Sequence, residues 1–266
     1  MVPPEGEYLT TGWESDLPPE DTLVRQAVLV HASWPVAVAG AAGRPWRSAA
    51  RWAGAWIGDR GTLTNPVILT QPMARAEDVL EEIDAMFSQH VPYLLLSPWP
   101  TSDLREHGLA LIGHPPLMVR FPGPPSPLRR WPGEVREIMD PAELAVAERV
   151  LVEGYPMPEL DPLAPGDLLG PTLLQTATRI WLAWLDGTAV AMAAAHSAAG
   201  VTLVEYVASL PTARGRGAGA AVTWAATLAD PDRPAVLIAS DDGRPVYSRM
   251  GYVAVERWTA WLRPAR

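Results

Sequence analysis

Apolar and polar positions divide the second half of the chain into short alternating elements. Apolar runs at 179–185, 189–196 and 201–209 predict three β-strands, and the pairs Asp186-Gly187 and Ala199-Gly200 between them are typical of tight turns. Because turns this short leave consecutive strands side by side, we expect the three strands to form an antiparallel meander.

Helices and further strands flank this meander. Asp140, Pro141 and Glu143 predict a helix start, with an N-cap, a proline in the first turn and a capping-box glutamate, and the helix runs to about Glu153. Residues 155–171, rich in Pro, Gly and Asp, predict a loop. The other predicted elements are strands at 135–139, 235–240 and 252–262 and helices at 217–228 and 244–250. The order β-α-β-β-β-α-β-α-β predicts a mixed α/β fold. Its helices would pack on one sheet that contains both parallel and antiparallel strands, as in the α+β class.

A proline-rich segment separates two parts of similar size. The sequence FPGPPSPLRRWPG, from Phe121 to Gly133, cannot form a regular helix or strand over its length. We therefore predict one domain at residues 1–122, a linker at 123–133 and a second domain at 134–266.

The composition removes several kinds of chemistry and of partner. The 266 residues carry 21 basic and 30 acidic side chains, and the net charge of -9 disfavours binding to nucleic acid or to an anionic membrane surface. The chain has no cysteine and no lysine, which excludes a thiolate nucleophile, a zinc-thiolate site and a lysine Schiff base. The five histidines are not spaced as metal ligands, so we predict no metal. The sequence contains no apolar run of membrane-spanning length and no leader, so we expect a cytoplasmic protein, monomer or homodimer.

A glycine-rich loop directly follows the third strand of the meander. Arg214-Gly215-Arg216-Gly217-Ala218-Gly219 leads into the predicted helix at 217–228. Glycine lets the backbone approach phosphate oxygens, the helix N-terminus offers unpaired N–H groups, and the arginines add positive charge. The loop therefore predicts a site for a phosphate-bearing ligand, and the alternative is a tight strand-to-helix connection without a ligand.

Two motifs resemble the GNAT superfamily of acyl-CoA-dependent N-acyltransferases. That family carries Arg/Gln-x-x-Gly-x-Gly/Ala at this place, and Arg214, Gly217 and Gly219 match the pattern. The segment Tyr247-Ser248-Arg249-Met250-Gly251-Tyr252 is similar to the family's Tyr-x-x-x-Gly-Phe, with tyrosine at the last position. The resemblance covers about residues 134–266, roughly the length of one such domain.

The resemblance implies a GNAT-like fold and direct transfer of an acetyl group from acetyl-CoA to the primary amine of a small molecule. Both substrates would be bound together, since a chain without cysteine cannot form a cysteinyl acyl-enzyme. In the family the glycine-rich loop holds the pyrophosphate, and the end of the preceding strand contacts the pantetheine arm and the thioester carbonyl. The candidate cofactor-binding residues in this chain are Val207, Ala208, Ser209, Arg214, Gly215, Arg216, Gly217, Ala218 and Gly219, together with Ser240 after the next strand.

Two side chains are candidates for acid-base catalysis within this resemblance. Glu205 lies on the third meander strand with the same parity as Val207 and Ser209, so we expect it to act as the base, directly or through water. The alternative for Glu205 is a solvated strand residue or an arginine partner. Tyr247, with a reference pKa of about 10, is expected to protonate the departing CoA thiolate, and its alternative is a packing role. His196, at a strand end, is interpreted as structural.

The resemblance also places the acceptor between the loop at 155–170 and the last strands. This region combines apolar residues with the acids Glu159, Asp161 and Asp167, which suggests a small cationic amine. The residues do not choose among an antibiotic, an amino acid, a polyamine and a protein N-terminus.

The first half of the chain matches the second half at a constant offset. A shift of 143 residues (247 minus 104) places 91–97 on 234–240, Leu104 on Tyr247, and 71–76 on the glycine-rich loop. We therefore predict two tandem copies of the fold, of which the first has lost its glycines and its tyrosine and binds no CoA. The alternative is the general similarity of strand-helix-strand units. The elements predicted in the first half are strands at 67–70 and 91–97 and a helix at 77–88.

Two other functions fit parts of the sequence. Gly215 to Ala220 also fits a loose dinucleotide-binding fingerprint, with Asp241 after the next strand as a ribose ligand. Three tightly connected strands before the loop argue against that fold. The other alternative is a non-catalytic acyl-CoA-binding sensor or scaffold.

The chain departs from the GNAT pattern at Ser240 and Gly243, where the family often has Asn and Ala, and this affects the expected cofactor contacts.

Overall fold

The computed structural model describes residues 22–265 apart from 62, 74, 88–89, 126–130, 156 and 161–163. It contains two mixed sheets, of six and seven strands, with helices packed between and around them. None of the helices it describes is long and apolar enough to cross a membrane. The α-helices are α1 Leu23–Ala41, α2 Leu80–Asp84, α3 Pro141–Gly154, α4 Ala218–Thr227 and α5 Arg244–Arg249.

Each sheet has one parallel strand pair among antiparallel ones. In spatial order the first sheet contains β1 Trp46–Ser48, β2 Trp52–Ala55, β3 Pro66–Leu69, β4 Tyr93–Ser97, β13 Thr259–Arg263 and β5 Ala110–Gly113. The second contains β12 Val253–Arg257, β6 Pro116–Arg120, β11 Ala235–Ile238, β10 Val201–Ser209, β9 Thr188–Ala198, β8 Thr178–Leu185 and β7 Glu134–Glu137. The parallel pairs are β3 with β4 and β10 with β11. The predicted α/β class with a mixed sheet is confirmed, and this topology is not the doubly wound parallel sheet of a dinucleotide-binding fold.

The predicted meander forms the centre of the second sheet. β8, β9 and β10 pair antiparallel, from Thr178 opposite His196 to Ser209 opposite Ala191. Both turns place two residues at positive φ, 49° for the first residue and 78° for the glycine that follows it. Turns of this hand match the twist of hairpin strands, so the local sequence determines the pairing.

Helix α3 begins where the sequence predicts and packs on β9 and β10. The Asp140 carboxylate accepts a hydrogen bond from the Ala142 N–H at 2.9 Å, and Pro141 opens the first turn. Glu143, predicted to complete a capping box, accepts a hydrogen bond from Arg136 at 2.7 Å. The Glu143 carboxylate therefore pairs with Arg136 instead of accepting a hydrogen bond from the backbone N–H of the N-cap residue, as a capping box would require.

Each sheet takes one strand from the other half of the chain. β6, which precedes the proline-rich segment, lies between β11 and β12 in the second sheet. β13 lies between β4 and β5 in the first sheet, and all four pairings are antiparallel. The two sheets therefore complete their hydrogen bonding only by exchanging strands.

This exchange corrects one predicted element. The segment 252–262, predicted as a single strand, forms β12 in one sheet and β13 in the other, with the fully buried Trp258 between them. Strand-like composition continues across the crossing, so the sequence pattern gives no sign of the break. The domain boundaries at 1–122 and 134–266 stay a prediction, and the hydrogen bonds of both sheets cross them.

Two buried arginines at the ends of the exchanged strands hold neighbouring carbonyl groups. Arg120 on β6 donates through Nε to the Met250 carbonyl at 3.2 Å and through both Nη atoms to carbonyls within 121–124. Arg263 on β13 donates to the His107 carbonyl at 2.6 Å and pairs with the last residue of α2. The offset of 143 that aligns the halves also relates Arg120 to Arg263 and His107 to Met250.

Helix α1, which the sequence patterns did not predict, packs between the two sheets. Ser33 Oγ lies 3.0 Å from Nε2 of His196, and Nδ1 of His196 lies 3.0 Å from the Thr178 hydroxyl. Because Ser33 donates its own hydrogen to the Val30 carbonyl, we infer that His196 donates from Nε2 and accepts from Thr178. Burial lowers the pKa of His196 to about 4, so the ring stays neutral and structural, as its position suggested.

The first half contains shorter elements than its sequence predicts. The strands predicted at 67–70 and 91–97 correspond to β3 and β4. The helix predicted at 77–88 is reduced to a 3-10 turn at Ala76–Val79 followed by the five-residue α2. β1, β2, β5 and β6 were not predicted from the sequence patterns.

We expect Arg120→Met to lower the free energy of unfolding by about 2–4 kcal/mol, because several carbonyl groups lose their donor at once. Arg263→Met, at the matching place in the first sheet, should have a similar effect. Urea denaturation followed by circular dichroism measures both changes. Arg249→Met, at the exposed end of α5, is the control and should stay within about 0.5 kcal/mol of the wild type. Equal effects of all three variants would contradict the importance of the two buried arginines.

Candidate active site

A β-bulge in β10 turns two neighbouring side chains towards one cavity. The register of β10 against β9 shifts between Glu205 and Ala208. Within the bulge Tyr206 takes a φ of 52°, a left-handed conformation that is uncommon for residues other than glycine. Glu205 and Tyr206 consequently both line the cavity. The predicted parity of Glu205 with Val207 and Ser209 does not continue through the bulge.

The cavity lies between the two halves of the chain and has a volume of about 620 Å³. β10 and β11 pair at Thr202 and Leu203 and separate beyond them, which opens the second sheet beside the bulge. The second half contributes the bulge, the end of β11 and the segment after α3. The first half contributes side chains from α1, β3, β4 and the turn between β5 and β6.

Glu205 is an acid whose protonation changes near neutral pH. Burial raises the pKa of its carboxyl to about 7, while a hydrogen bond from the Tyr206 backbone opposes part of the rise. The group can therefore accept and release a proton under ordinary conditions.

Three tyrosines surround this carboxyl. Burial, together with the charge of Glu205, raises the pKa of Tyr155 to about 12 and raises the pKa values of Tyr206 and Tyr247 further. All three are neutral hydroxyls at neutral pH. Tyr247 is thus near enough to feel the charge of Glu205, but it is packed in the core and is not among the described residues that line the cavity. Tyr155 and Tyr206, which the sequence analysis missed, do line it.

Gly243 makes room for the ring of Tyr247. A Cβ on Gly243 would lie 2.7 Å from Cε2 of Tyr247, closer than side chains pack. On its other side the ring lies 6.0 Å from that of Tyr252, measured between centroids. The glycine at this position, where the GNAT pattern often has alanine, therefore follows from the packing of the tyrosine.

The backbone of the glycine-rich loop adopts left-handed conformations that favour glycine. Gly215 and Gly217 have φ values of 71° and 99°, and Gly217 is the N-cap of α4. Within the described part of the chain, no side chain caps this helix end. The first backbone N–H groups of α4 are therefore available to an anion.

The strand end, the loop and α3 converge beside this helix end. A Cβ on Gly219 would lie 2.8 Å from Ser209 Oγ, so glycine allows α4 to sit against the end of β10. Arg214 donates through Nη2 to the Gly154 carbonyl at 2.8 Å, at the end of α3. Part of the Arg214 guanidinium therefore serves the fold, although the residue as a whole is exposed.

The other predicted cofactor residues occupy different environments. Ala208 and Ala218 are buried, so their side chains belong to the core. Val207 is half-buried within the bulge, and Arg216 is exposed. Ser240 is exposed at the end of β11 and lines the cavity. Among these five, Ser240 and Arg216 have polar side chains that a ligand could contact.

The acids predicted near the acceptor do not line this cavity where the structure describes them. Glu159 is exposed, and Asp161 lies outside the described residues. Asp167 forms an ion pair with Arg44 at 3.5 Å and accepts a hydrogen bond from the Ala164 N–H at 2.9 Å. Asp167 therefore ties its loop to the first half rather than facing the cavity.

Glu148 organises that loop and was not identified from the sequence. This buried α3 side chain accepts hydrogen bonds from the N–H groups of Gly166, Leu168 and Leu169 at 2.8, 2.8 and 2.7 Å. These bonds fix the segment that presents Leu168 to the cavity. A single acid within a helix has no sequence pattern that announces such a contact.

The matching places in the first half lack these features. Leu104, which aligns with Tyr247, is fully buried in the core of the first half. Residues 71–76 lead into a 3-10 turn, and Ala74 lies outside the described residues. That this half binds no CoA stays a prediction.

Solved structures similar to this chain include GNAT proteins. A GCN5-related N-acetyltransferase from Kribbella flavida has a TM-score of 0.65 and 21% sequence identity, covering 92% of this chain and 97% of its own. A GCN5-related N-acetyltransferase from Sphaerobacter thermophilus has a TM-score of 0.54 and 12% identity, covering 92% and 94%. No family model and no curated protein sequence matches the chain. The similarity covers both halves and confirms the predicted GNAT fold; identities this low establish the fold and not the reaction.

The raised pKa of Glu205 should make its contribution to stability depend on pH. The folded protein holds the proton to about pH 7, against an ordinary carboxyl value of 4.5, so stability falls as pH rises between these values. We expect Glu205→Gln to raise the free energy of unfolding at pH 8 by up to about 3 kcal/mol and to change it little at pH 4. Urea denaturation at both pH values measures the difference. The same effect at pH 4 and pH 8 would show that Glu205 is not ionised at a cost to stability.

Proposed function

We propose that this chain is an N-acetyltransferase that moves an acetyl group from acetyl-CoA to a primary amine while both are bound. The observation that carries the proposal is Glu205, a carboxyl with a pKa of about 7 beside the β10 bulge, where β10 and β11 separate. A base that titrates near neutral pH suits the deprotonation of an amine. The GNAT fold of the chain supports the same class of reaction.

The glycine-rich loop fits the phosphates of an acyl-CoA. A Cβ on Gly215 would meet no protein atom within 4 Å, so this backbone faces open space that a ligand could fill. The uncapped N-terminus of α4 offers N–H groups, and Arg214 and Arg216 supply positive charge. We place the extended pantetheine arm where β10 and β11 stop pairing. When bound, the donor supplies the acyl thioester.

Glu205 acts as the base in this proposal. An amine that arrives as an ammonium must lose a proton before it can attack, and the carboxylate accepts that proton. The amine nitrogen then bonds to the thioester carbonyl carbon, and the carbon–sulfur bond breaks. The backbone N–H of Val207, within the bulge, donates a hydrogen bond to the carbonyl oxygen as negative charge develops there.

Tyr247 donates to the departing sulfur. Because burial raises the pKa of its hydroxyl, Tyr247 stays protonated and is available first as a hydrogen-bond donor and then as a proton source for the sulfur. The proton that the nitrogen loses as the amide forms then restores the Tyr247 hydroxyl. Tyr155, which lines the cavity, is a second neutral hydroxyl. The acid and base functions thus fall to different groups: the tyrosine hydroxyls stay protonated at neutral pH, whereas Glu205 can lose its proton there.

A non-catalytic acyl-CoA sensor is the alternative. Such a protein would need the glycine-rich loop, but it would gain nothing from a carboxyl group whose ionisation lowers stability as pH rises from 4.5 to about 7. The position of Glu205 in the cavity therefore favours the enzyme.

We expect kcat/KM for the amine to rise with pH through about 7 as Glu205 loses its proton. Glu205→Gln should abolish this rise and lower kcat by about 10²-fold or more, while the Kd for acetyl-CoA stays within about twofold. Release of CoA thiol measures the rates, and calorimetry measures the Kd. Tyr247→Phe should lower kcat as well but keep the rise near pH 7. A pH profile that Glu205→Gln leaves unchanged would remove Glu205 from the role of base.

Gly215→Ala should weaken acetyl-CoA binding by about tenfold or more, because the added methyl group enters the space proposed for the phosphates. Gly187→Ala is the matched control. It has a similar φ, 78° against 71°, and equally open surroundings, but it lies in the turn between β8 and β9. The two variants should lose similar stability, and only Gly215→Ala should change the calorimetric Kd. Equal Kd values would contradict the phosphate site.

A further inference from the structure

The first half of the chain presents an apolar wall to the cavity. Along β4, Tyr93 and Leu95 are buried in the core of the first half, whereas Leu94 and Leu96 are half-buried and line the cavity. Ile68 on the adjacent β3 lines the cavity as well. β4 is therefore apolar on both faces, and one of these faces serves the cavity.

Aromatic and aliphatic side chains from other elements extend this wall. Trp34 of α1 lies edge-on to Tyr206, with 5.0 Å between the ring centroids. Met157 and Leu168, from the segment after α3, also line the cavity. A ligand beside Glu205 therefore meets mostly hydrocarbon.

Acidic groups are few on this surface. Within the described lining they are Glu205 and Asp241. Asp241 is exposed and follows β11, on the side of the cavity where we place the donor. Glu205 is thus the carboxylate that remains for the acceptor, and it can pair with one ammonium. A second ammonium on the same ligand would lie against the leucine and isoleucine side chains of the wall, where the described lining offers it no further carboxylate, and this is unfavourable.

We propose that the acceptor is a primary monoamine with an apolar body, selected by Ile68, Leu94 and Leu96 of the first half. The inference rests on the proposed acetyl transfer at Glu205. The amino group lies at Glu205, and the apolar body packs on the wall formed by β3 and β4. The first half then takes part in the choice of substrate.

Two amines of equal length test this selection. Hexylamine and 1,6-diaminohexane share a six-carbon chain and differ by one ammonium group. Each is titrated into the full-length protein, with and without saturating CoA, and the Kd is measured by calorimetry. We expect hexylamine to bind at least tenfold more tightly, because the diamine must desolvate its second charge against the wall. Equal or tighter binding of the diamine, or binding of neither amine, overturns the proposal.

A charge placed on the wall should change this preference. Leu96→Asp gives the second ammonium a partner, and we expect it to shift the ratio of the two Kd values at least tenfold towards the diamine. Leu111→Asp is the matched control, because Leu111 is 45% exposed on β5 and lies outside the cavity lining. The control should keep the ratio within twofold. Equal shifts in both variants would show that the wall does not select the amine.

These titrations need no turnover, so they separate the inference from the proposed reaction. If hexylamine binds with the expected preference and no acetyl group is transferred, the transferase proposal fails and the apolar amine site stands. If the protein acetylates spermidine with a higher kcat/KM than hexylamine, the transferase proposal stands and the selection of a monoamine fails.

Discussion

β11 and β12 do not pair with each other in the second sheet, because β6 from the other half lies between them. β13 has the same position between β4 and β5. Backbone N–H and C=O groups inside a sheet need partners, so neither sheet reaches its full hydrogen bonding without the other half. This constraint fixes the two halves against each other. The cavity lies between them, and its shape therefore depends on a hydrogen-bonded frame rather than on a loose contact between domains.

Within that frame the site is built from local departures from regular structure. The β10 bulge turns Glu205 and Tyr206 to the same side, and the separation of β10 from β11 opens the sheet beside them. Burial raises the pKa of Glu205 towards neutrality at a cost to stability, which the extensive cores of both halves can offset. The glycines of the loop let α4 approach Ser209 and leave its N-terminus open. Catalytic and binding features thus occur where the sheet is least regular.

The sequence allowed most of the second half to be predicted, because its meander turns, the cap at Asp140 and the glycine-rich loop are short-range signals. Tyr247 could be identified by its motif. The roles of Tyr155 and Glu148 could not, since both arise from contacts with distant segments. Helix α1 escaped prediction because it is buried between two sheets and lacks a clear polar face. The strand exchange was equally hidden, because hydrophobic periodicity reports that a strand is buried and not which sheet buries it.

The strand exchange also sets the order in which the chain can fold during translation. β4 and β5 leave the ribosome early, but the strand that pairs with both of them, β13, follows every element of the second sheet in sequence. Until β13 is synthesised, the nascent first half carries two unpaired strand edges, which are prone to associate with other chains. The high sequence separation of these contacts favours slow folding. The arrangement that fixes the cavity in the finished protein thus leaves the nascent first half with open strand edges until β13 has been synthesised.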